Sequence, residues 1–146
     1  MYLAGDDSTN GGYDRQWHIE KRLLSDGSLT GFGVLTVDPG TGFDIALGVF
    51  LDGPALYVSG MHHVNPPLPN QDLQIMIMKI DATTAGTITT FGGTGAVTEN
   101  PTPLVDGLAV LGADATHTYL AGVENVDLIN SPPTSDVGWR IEKRVK

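Results

Sequence analysis

The side chains able to do chemistry fall into a few small groups. Asp6, Asp7 and Asp14 gather carboxylates around the Asp6-Asp7-Ser8-Thr9-Asn10 loop, and clustered hard oxygens are what calcium binds. Their spacing matches neither the EF-hand loop nor the nonapeptide calcium repeat. The segment is therefore read as a solvated loop, with calcium as the alternative and no metal assigned. His62 and His63 are adjacent imidazoles, but a metal site needs a third ligand at suitable spacing. They are kept as ligand-binding candidates only. Trp17 and Trp139 could each stack on the apolar face of a sugar ring. The matching residue between them is Ile75, which can replace a core Trp but cannot stack a sugar comparably. Packing is the first reading of both indoles and sugar binding the second. Glu20 with Arg22, and Glu142 with Arg144, lie two apart and share a strand face. Acid–base catalysis needs environments that separate two pKa values, so these read as structural ion pairs. No phosphate loop, nucleophile elbow or HExxH motif occurs, and the chain is read as a non-enzyme.

These residues hang on a pattern that recurs. Tyr2-Leu3-Ala4-Gly5, Tyr57-Val58-Ser59-Gly60 and Tyr119-Leu120-Ala121-Gly122 each end an apolar strand. They lead to Asp14-Arg15-Gln16-Trp17, Asp72-Leu73-Gln74-Ile75 and Asp136-Val137-Gly138-Trp139. Self-similarity at a period of about sixty residues marks stacked copies of one supersecondary unit, none of which buries its faces alone. An offset of 62 lays Asp44 on Asp106, Asp52 on Asp114 and Gly60 on Gly122. Ile45 to Leu51 and Leu108 to Ala113 are apolar on both faces and rich in small residues, the pattern of a strand where backbones crowd together. Asp52-Gly53-Pro54 predicts a hairpin into Ala55 to Gly60. The next strand aligns as Trp17 to Arg22, Ile75 to Ile80 and Trp139 to Arg144. A turn such as Asp26-Gly27-Ser28 leads to a fourth segment, Leu29 to Val37 or Ile88 to Thr98, carrying Phe32-Gly33 or Phe91-Gly92.

Four antiparallel strands per unit with short turns are the sequence form of a β-propeller blade. The expected fold is all-β, a β-propeller-type array of four-stranded antiparallel blades with about two and a half blades present. One array over 1–146 divides into a partial blade 1–39, a complete blade 40–101 and a partial blade 102–146. The first unit lacks its first strand and the last lacks its fourth. Expected partners are further blades of a longer parent chain or copies of the chain itself, which would supply the neighbours that blade faces need. The loops Asp6 to Asp14, Met61 to Asp72 and Val123 to Asp136 vary most and should emerge at one end, where binding loops collect.

The bulk numbers exclude some partners. The formal charge is −9, from 17 acids against 8 bases, which argues against nucleic acid because phosphate neutralisation needs a basic face. No apolar run approaches the roughly 18 residues that span a bilayer, so no membrane insertion is expected. Zero cysteines exclude disulfides and thiol catalysis and leave the redox compartment open. Met1-Tyr2-Leu3 already reads as strand, so no signal peptide is expected in this chain.

The turn and packing motifs resemble a known bacterial repeat. Asp44 to Leu51, Asp52-Gly53, Leu56 to Gly60, Lys79-Ile80-Asp81, Gly86-Thr87-Ile88 and Phe91-Gly92-Gly93-Thr94-Gly95 are similar to the delta-sixty family of propeller-like repeats. Asp26-Gly27-Ser28-Leu29 with Phe32-Gly33 resembles the DGSL and FG parts of that unit. Pro54 follows Asp52-Gly53 where the family has Lys, and Thr84-Ala85-Gly86 stands where it has DGS. The resemblance implies a part of a large secreted or cell-surface bacterial protein without an assigned catalytic role. The expected function is thus a non-catalytic scaffold presenting loops to a protein or other ligand. A carbohydrate-binding module is the first alternative, and a fragment of a propeller enzyme with its active site in other blades is the second.

Overall fold

A computed structural model describes residues 1–8, 14–40, 42–64, 72–126 and 137–146. Among them the chain is all-β, with ten strands and no helix. They are β1 (Tyr2–Ser8), β2 (Arg15–Arg22), β3 (Leu29–Val37), β4 (Ile45–Asp52), β5 (Ala55–His63), β6 (Leu73–Asp81), β7 (Ala96–Glu99), β8 (Val105–Ala113), β9 (His117–Val126) and β10 (Gly138–Val145). Neighbours in sequence pair antiparallel in three meanders: β1-β2-β3, β4-β5-β6-β7 and β8-β9-β10. A single parallel pairing, Leu73 with Val105, joins the second meander to the third. The result is two sheets, one of three strands and one of seven. Neither closes on itself.

The turns show why the chain reverses where it does. Between β2 and β3 the N–H of Leu23 donates to the carbonyl of Ser28, and the N–H of Gly27 to that of Leu23. Between β6 and β7, Asp81 donates to Gly86 and Ala85 to Asp81 in the same way. Gly27 has φ +74° and its counterpart Ala85 has φ +62°. A side chain at a left-handed φ costs energy that Gly avoids, so Ala85 holds a Gly turn without Gly. The loop between β4 and β5 is two residues, Gly53 at φ +55° and Pro54. That sign pattern, with Gly at the first loop position, is the type II′ hairpin rather than the Asp-Gly type I′.

The fourth segment of the middle unit is shorter than its sequence suggests. Ile88 to Thr98 reads as a strand, but only Ala96–Glu99 pairs with β6. Gly92, Gly93 and Gly95 all take positive φ, and the chain coils there instead of extending. The coil still seats Phe91, whose ring meets Tyr57 edge-on at 5.8 Å. Phe32 meets Tyr2 with the same 5.8 Å separation. Lys21 stands 5.0 Å over Tyr2, Lys79 5.2 Å over Tyr57 and Lys143 5.7 Å over Tyr119, each a cation on a ring face. The recurring Tyr, Lys and Phe are therefore one packing device.

The meanders stack face against face, forming two buried clusters. In one, Trp17 and Ile19 of β2 meet Ala46, Val58, Met76 and Met78 of β4, β5 and β6. In the other, Tyr57, Ile75 and Ile77 meet Leu108, Val110 and Leu120 of β8 and β9. Strands β4 and β8 crowd together as their small residues imply. A Cβ on Gly48 would lie 2.8 Å from the Val110 nitrogen. Ser59, buried beneath, accepts the Val110 N–H at 2.6 Å, which satisfies a donor freed by the bulge in β8.

The Tyr-x-x-Gly motif has a steric cause. A Cβ on Gly60 would sit 2.0 Å from the Ile45 carbonyl oxygen, and one on Gly122 would sit 2.0 Å from that of Gly107. The bulged partner strand presses onto both glycines. At Gly5 a Cβ would meet nothing within 4 Å, because β1 pairs with β2 alone. Gly60→Ala and Gly122→Ala should each destabilise by about 3 kcal/mol through overpacking, whereas Gly5→Ala should stay within about 0.5 kcal/mol. Urea midpoints of the three variants check this ordering.

Candidate functional site

The candidate residues at the loop end converge on the segment that enters β4. Asp44 is fully buried. Its Oδ1 accepts the His63 N–H at 2.7 Å and its Oδ2 the Gly40 N–H at 3.1 Å. Asp106, also fully buried, repeats the arrangement 62 residues on. It accepts the Asn125 N–H at 2.9 Å, the Thr102 N–H at 2.9 Å and the Thr102 hydroxyl at 2.8 Å. Each carboxylate ties the chain entering one strand to the far end of its neighbour. Burial pushes the Asp44 carboxyl up, against the two N–H donors that favour its charge.

His62 and His63 follow each other along β5, so their side chains leave opposite faces. The structure separates them. The His62 ring is half-buried and neither nitrogen has a hydrogen-bond partner among the described residues. Burial lowers its pKa below the ordinary imidazole value, while the Asp44 carboxyl works the other way. His63 is buried against the entering segment, its Nδ1 2.6 Å from where a Cβ of Gly42 would stand. Gly42, at φ +145°, leaves the ring the space that a Cβ would take.

Asp6 is exposed and paired with Arg15 at 2.7 Å. Asp7 is exposed and Asp14 half-buried. The Arg15 guanidinium lies 4.5 Å over the Phe43 ring, and its backbone N–H donates to Gly42. One edge of the calcium candidate is thereby used to pin β2 to the segment entering β4. Among the described residues no three His, Asp or Glu side chains come together as a metal site. Residues 9–13 and 127–136, and the Pro66-Pro67-Leu68-Pro69 stretch, lie outside the described residues.

The two indoles have opposite surroundings. Trp17 is fully buried, and its Nε1–H donates to the Met61 carbonyl at 3.1 Å. A sugar has no access to either of its faces, so the sugar reading of Trp17 gives way to packing. Trp139 stands exposed on β10 beside Ile141. The expected ion pairs form: Arg22 holds Glu20 through two bonds of 2.6 and 2.9 Å, and Arg144 holds Glu142 at 2.5 Å and Glu99 at 2.5 Å. Arg140 joins the second group through Glu142, Glu124 and Glu99. Sequence reasoning aligned Asp44 with Asp106 without assigning them a task. Their isolation at the head of strands poor in other polar groups was the available signal. Nothing in the sequence pointed to Arg15 over Phe43.

These groups fix how stability responds to acid. A lowered His pKa contributes stability that is present above the unfolded value and lost as pH falls through it, so His62 produces a loss beginning near pH 6.5. Arg22 lowers Glu20, the Ser28 N–H lowers Asp26, the Thr84 N–H lowers Asp81, Arg144 lowers Glu99 and the Tyr119 hydroxyl lowers Asp114. Their contribution is lost below about pH 4. Asp44, raised by burial, runs the other way and offsets part of that loss. Thermal melts from pH 7 to 3 should show a shallow fall and then a steeper one, and His62→Gln should remove only the first.

No helix among the described residues is long and apolar enough to cross a membrane. Comparison with family models, with curated proteins and with solved structures finds no match to this chain.

Proposed function

We propose that this chain is a non-catalytic scaffold, a segment of a β-propeller-type repeat array that holds loops for contact with a protein or other ligand. The observation that carries this reading is how the chemically capable residues are used. Asp44 and Asp106 bind backbone N–H groups, Asp26, Asp81 and Asp114 cap turns, and Trp17 fills a seam between sheets. Equivalent contacts in successive meanders support reading the three meanders as successive blades, each antiparallel and each stacked on the next. The resemblance to delta-sixty repeats supports a secreted or cell-surface bacterial setting. Further blades or copies of the chain are the partners such an array needs.

Loops on a scaffold are separable from its folding. Replacing residues 65–71 with a Gly-Ser linker should leave the melting temperature of the full chain within a few degrees, a shift below about 1 kcal/mol. A cooperative collapse of the sheets would overturn the scaffold reading.

Carbohydrate binding is a second reading, favoured by the exposed indole of Trp139 with Lys143 near by on the same strand. On a glycan array, binding that disappears in Trp139→Ala while circular dichroism is unchanged would establish it. Trp17→Ala should instead cost about 3–5 kcal/mol of stability, as a buried aromatic does.

A further inference from the structure

Each meander has two faces of different kinds. One face carries the Tyr, the Trp or Ile, and the next Ile of the recurring pattern: Tyr2, Trp17 and Ile19, then Tyr57, Ile75 and Ile77, then Tyr119, Trp139 and Ile141. The first two of these faces are covered by the opposite face of the following meander. The third is open. Trp17 and Ile19 are 0% exposed, whereas Trp139 is 86% and Ile141 83% exposed. Adjacent exposed apolar side chains of this size on one sheet face mark a contact surface.

The opposite kind of face is also left open once, on β1-β2-β3. Leu3 pairs in register with Glu20, and Glu20 with Val34, giving a row in which Leu3 and Val34 are exposed. In the third meander Leu120 and Glu142 pair as Leu3 and Glu20 do, with Leu120 buried against Tyr57, Ile75 and Ile77. In the second the matching row of three is Val58, Met78 and Ala96, packed against Trp17 and Ile19. Glu20 is clasped by Arg22 as Glu142 is by Arg144, so the charged member of each row is neutralised before contact. The chain thus exposes one face of each of the two kinds that meet within it, the back face lacking only the first strand that β4 and β8 supply inside the chain.

We infer that the Trp139 and Ile141 face of β8-β9-β10 docks on the Leu3 and Val34 face of β1-β2-β3 in a second copy of this chain. This rests on the reading of the meanders as stacked like units and names the partner of that stack. The contact is heterologous, a front face on a back face, so a pair of copies keeps one free face of each kind and can extend to a third. The Arg22 guanidinium, held by Glu20, would lie across from the Trp139 face, a pairing that an indole favours.

The test is size-exclusion chromatography with light scattering on the full chain, from micromolar to submillimolar concentration. The mass should rise with concentration from the 15.4 kDa of one chain to that of two and more. Trp139→Glu and Leu3→Glu should each hold the mass at one chain with unchanged circular dichroism and melting temperature measured at low concentration. Mixed together, they should form a two-chain species that does not grow, because one intact face of each kind remains between them. A wild-type chain that stays monomeric throughout, while folded, would overturn the inference. So would association lost in Trp139→Glu but kept in Leu3→Glu, which would mean front faces meeting each other. Neither result touches the scaffold reading, which the loop replacement tests separately.

Discussion

Two carboxylates out of reach of solvent hold the strands of this protein in register. Burying a carboxyl group without partners is expensive, and among the described residues Asp44 and Asp106 are both met by backbone N–H donors. Charge-assisted bonds of this kind are among the stronger ones available to a protein. Asp44 fixes the end of β5 through the His63 N–H. Two residues before it, the Met61 carbonyl is thereby placed to receive the Trp17 indole. The seam between the first two meanders thus depends on a side chain that touches neither member of that hydrogen bond.

The faces that meet across the two seams are alike in outline and differ in chemistry. Behind Trp17 stand Met76 and Met78, flexible and unbranched side chains suited to fill the space around a large ring. The positions matching them on β10 are Arg140 and Glu142, and the side chains facing that seam from the middle meander are the smaller Ile75 and Ile77. At the first seam the indole lies against thioethers, and at the second the aliphatic pair lies beside an ion-pair network anchored on Glu99. The variation of Trp and Ile at one position, which looked inconsistent along the sequence, is matched by a change on the facing sheet.

Much of the fold was legible because its signals are local. The strand Leu29–Val37 and the Asp26-Gly27-Ser28 turn are specified by residues that touch one another. β10 is legible from its alternating pattern, while β6 is an apolar run buried on both faces, and β2, β6 and β10 each extend beyond the aligned six residues. The Ile88 to Thr98 segment misled because its apolar residues suit a strand, whereas three glycines at positive φ decide the path. Ala85 could not be foreseen in a left-handed turn, since only the hydrogen bonds with Asp81 hold it there. At the candidate site the residue types were visible and their surroundings were not. Asp6 became intelligible through Arg15 across its hairpin and Phe43 beyond it, and His62 through its burial and the nearby Asp44 at the head of the strand before.

Trp17 and Trp139 occupy the same place in W-x-I-E-K-R and have opposite exposure. Residue type, spacing and strand face are the same for both; the presence of a facing sheet is the difference. The exposed indole is thus a face that no described residue covers, and a sugar and a like sheet would compete for it. Burial of an aromatic and an Ile together removes more apolar area from water than a single stacked sugar ring would, and at about 25 cal/mol per Å² that difference favours the sheet. Ordering two rigid sheets also fixes few side chains that were not already held, since Lys143 is seated over Tyr119 and Glu142 between its arginines. If the proposed stacking holds, this face is taken by a like sheet, and the exposed side chains at the loop end, such as Asp6, remain open to a different ligand.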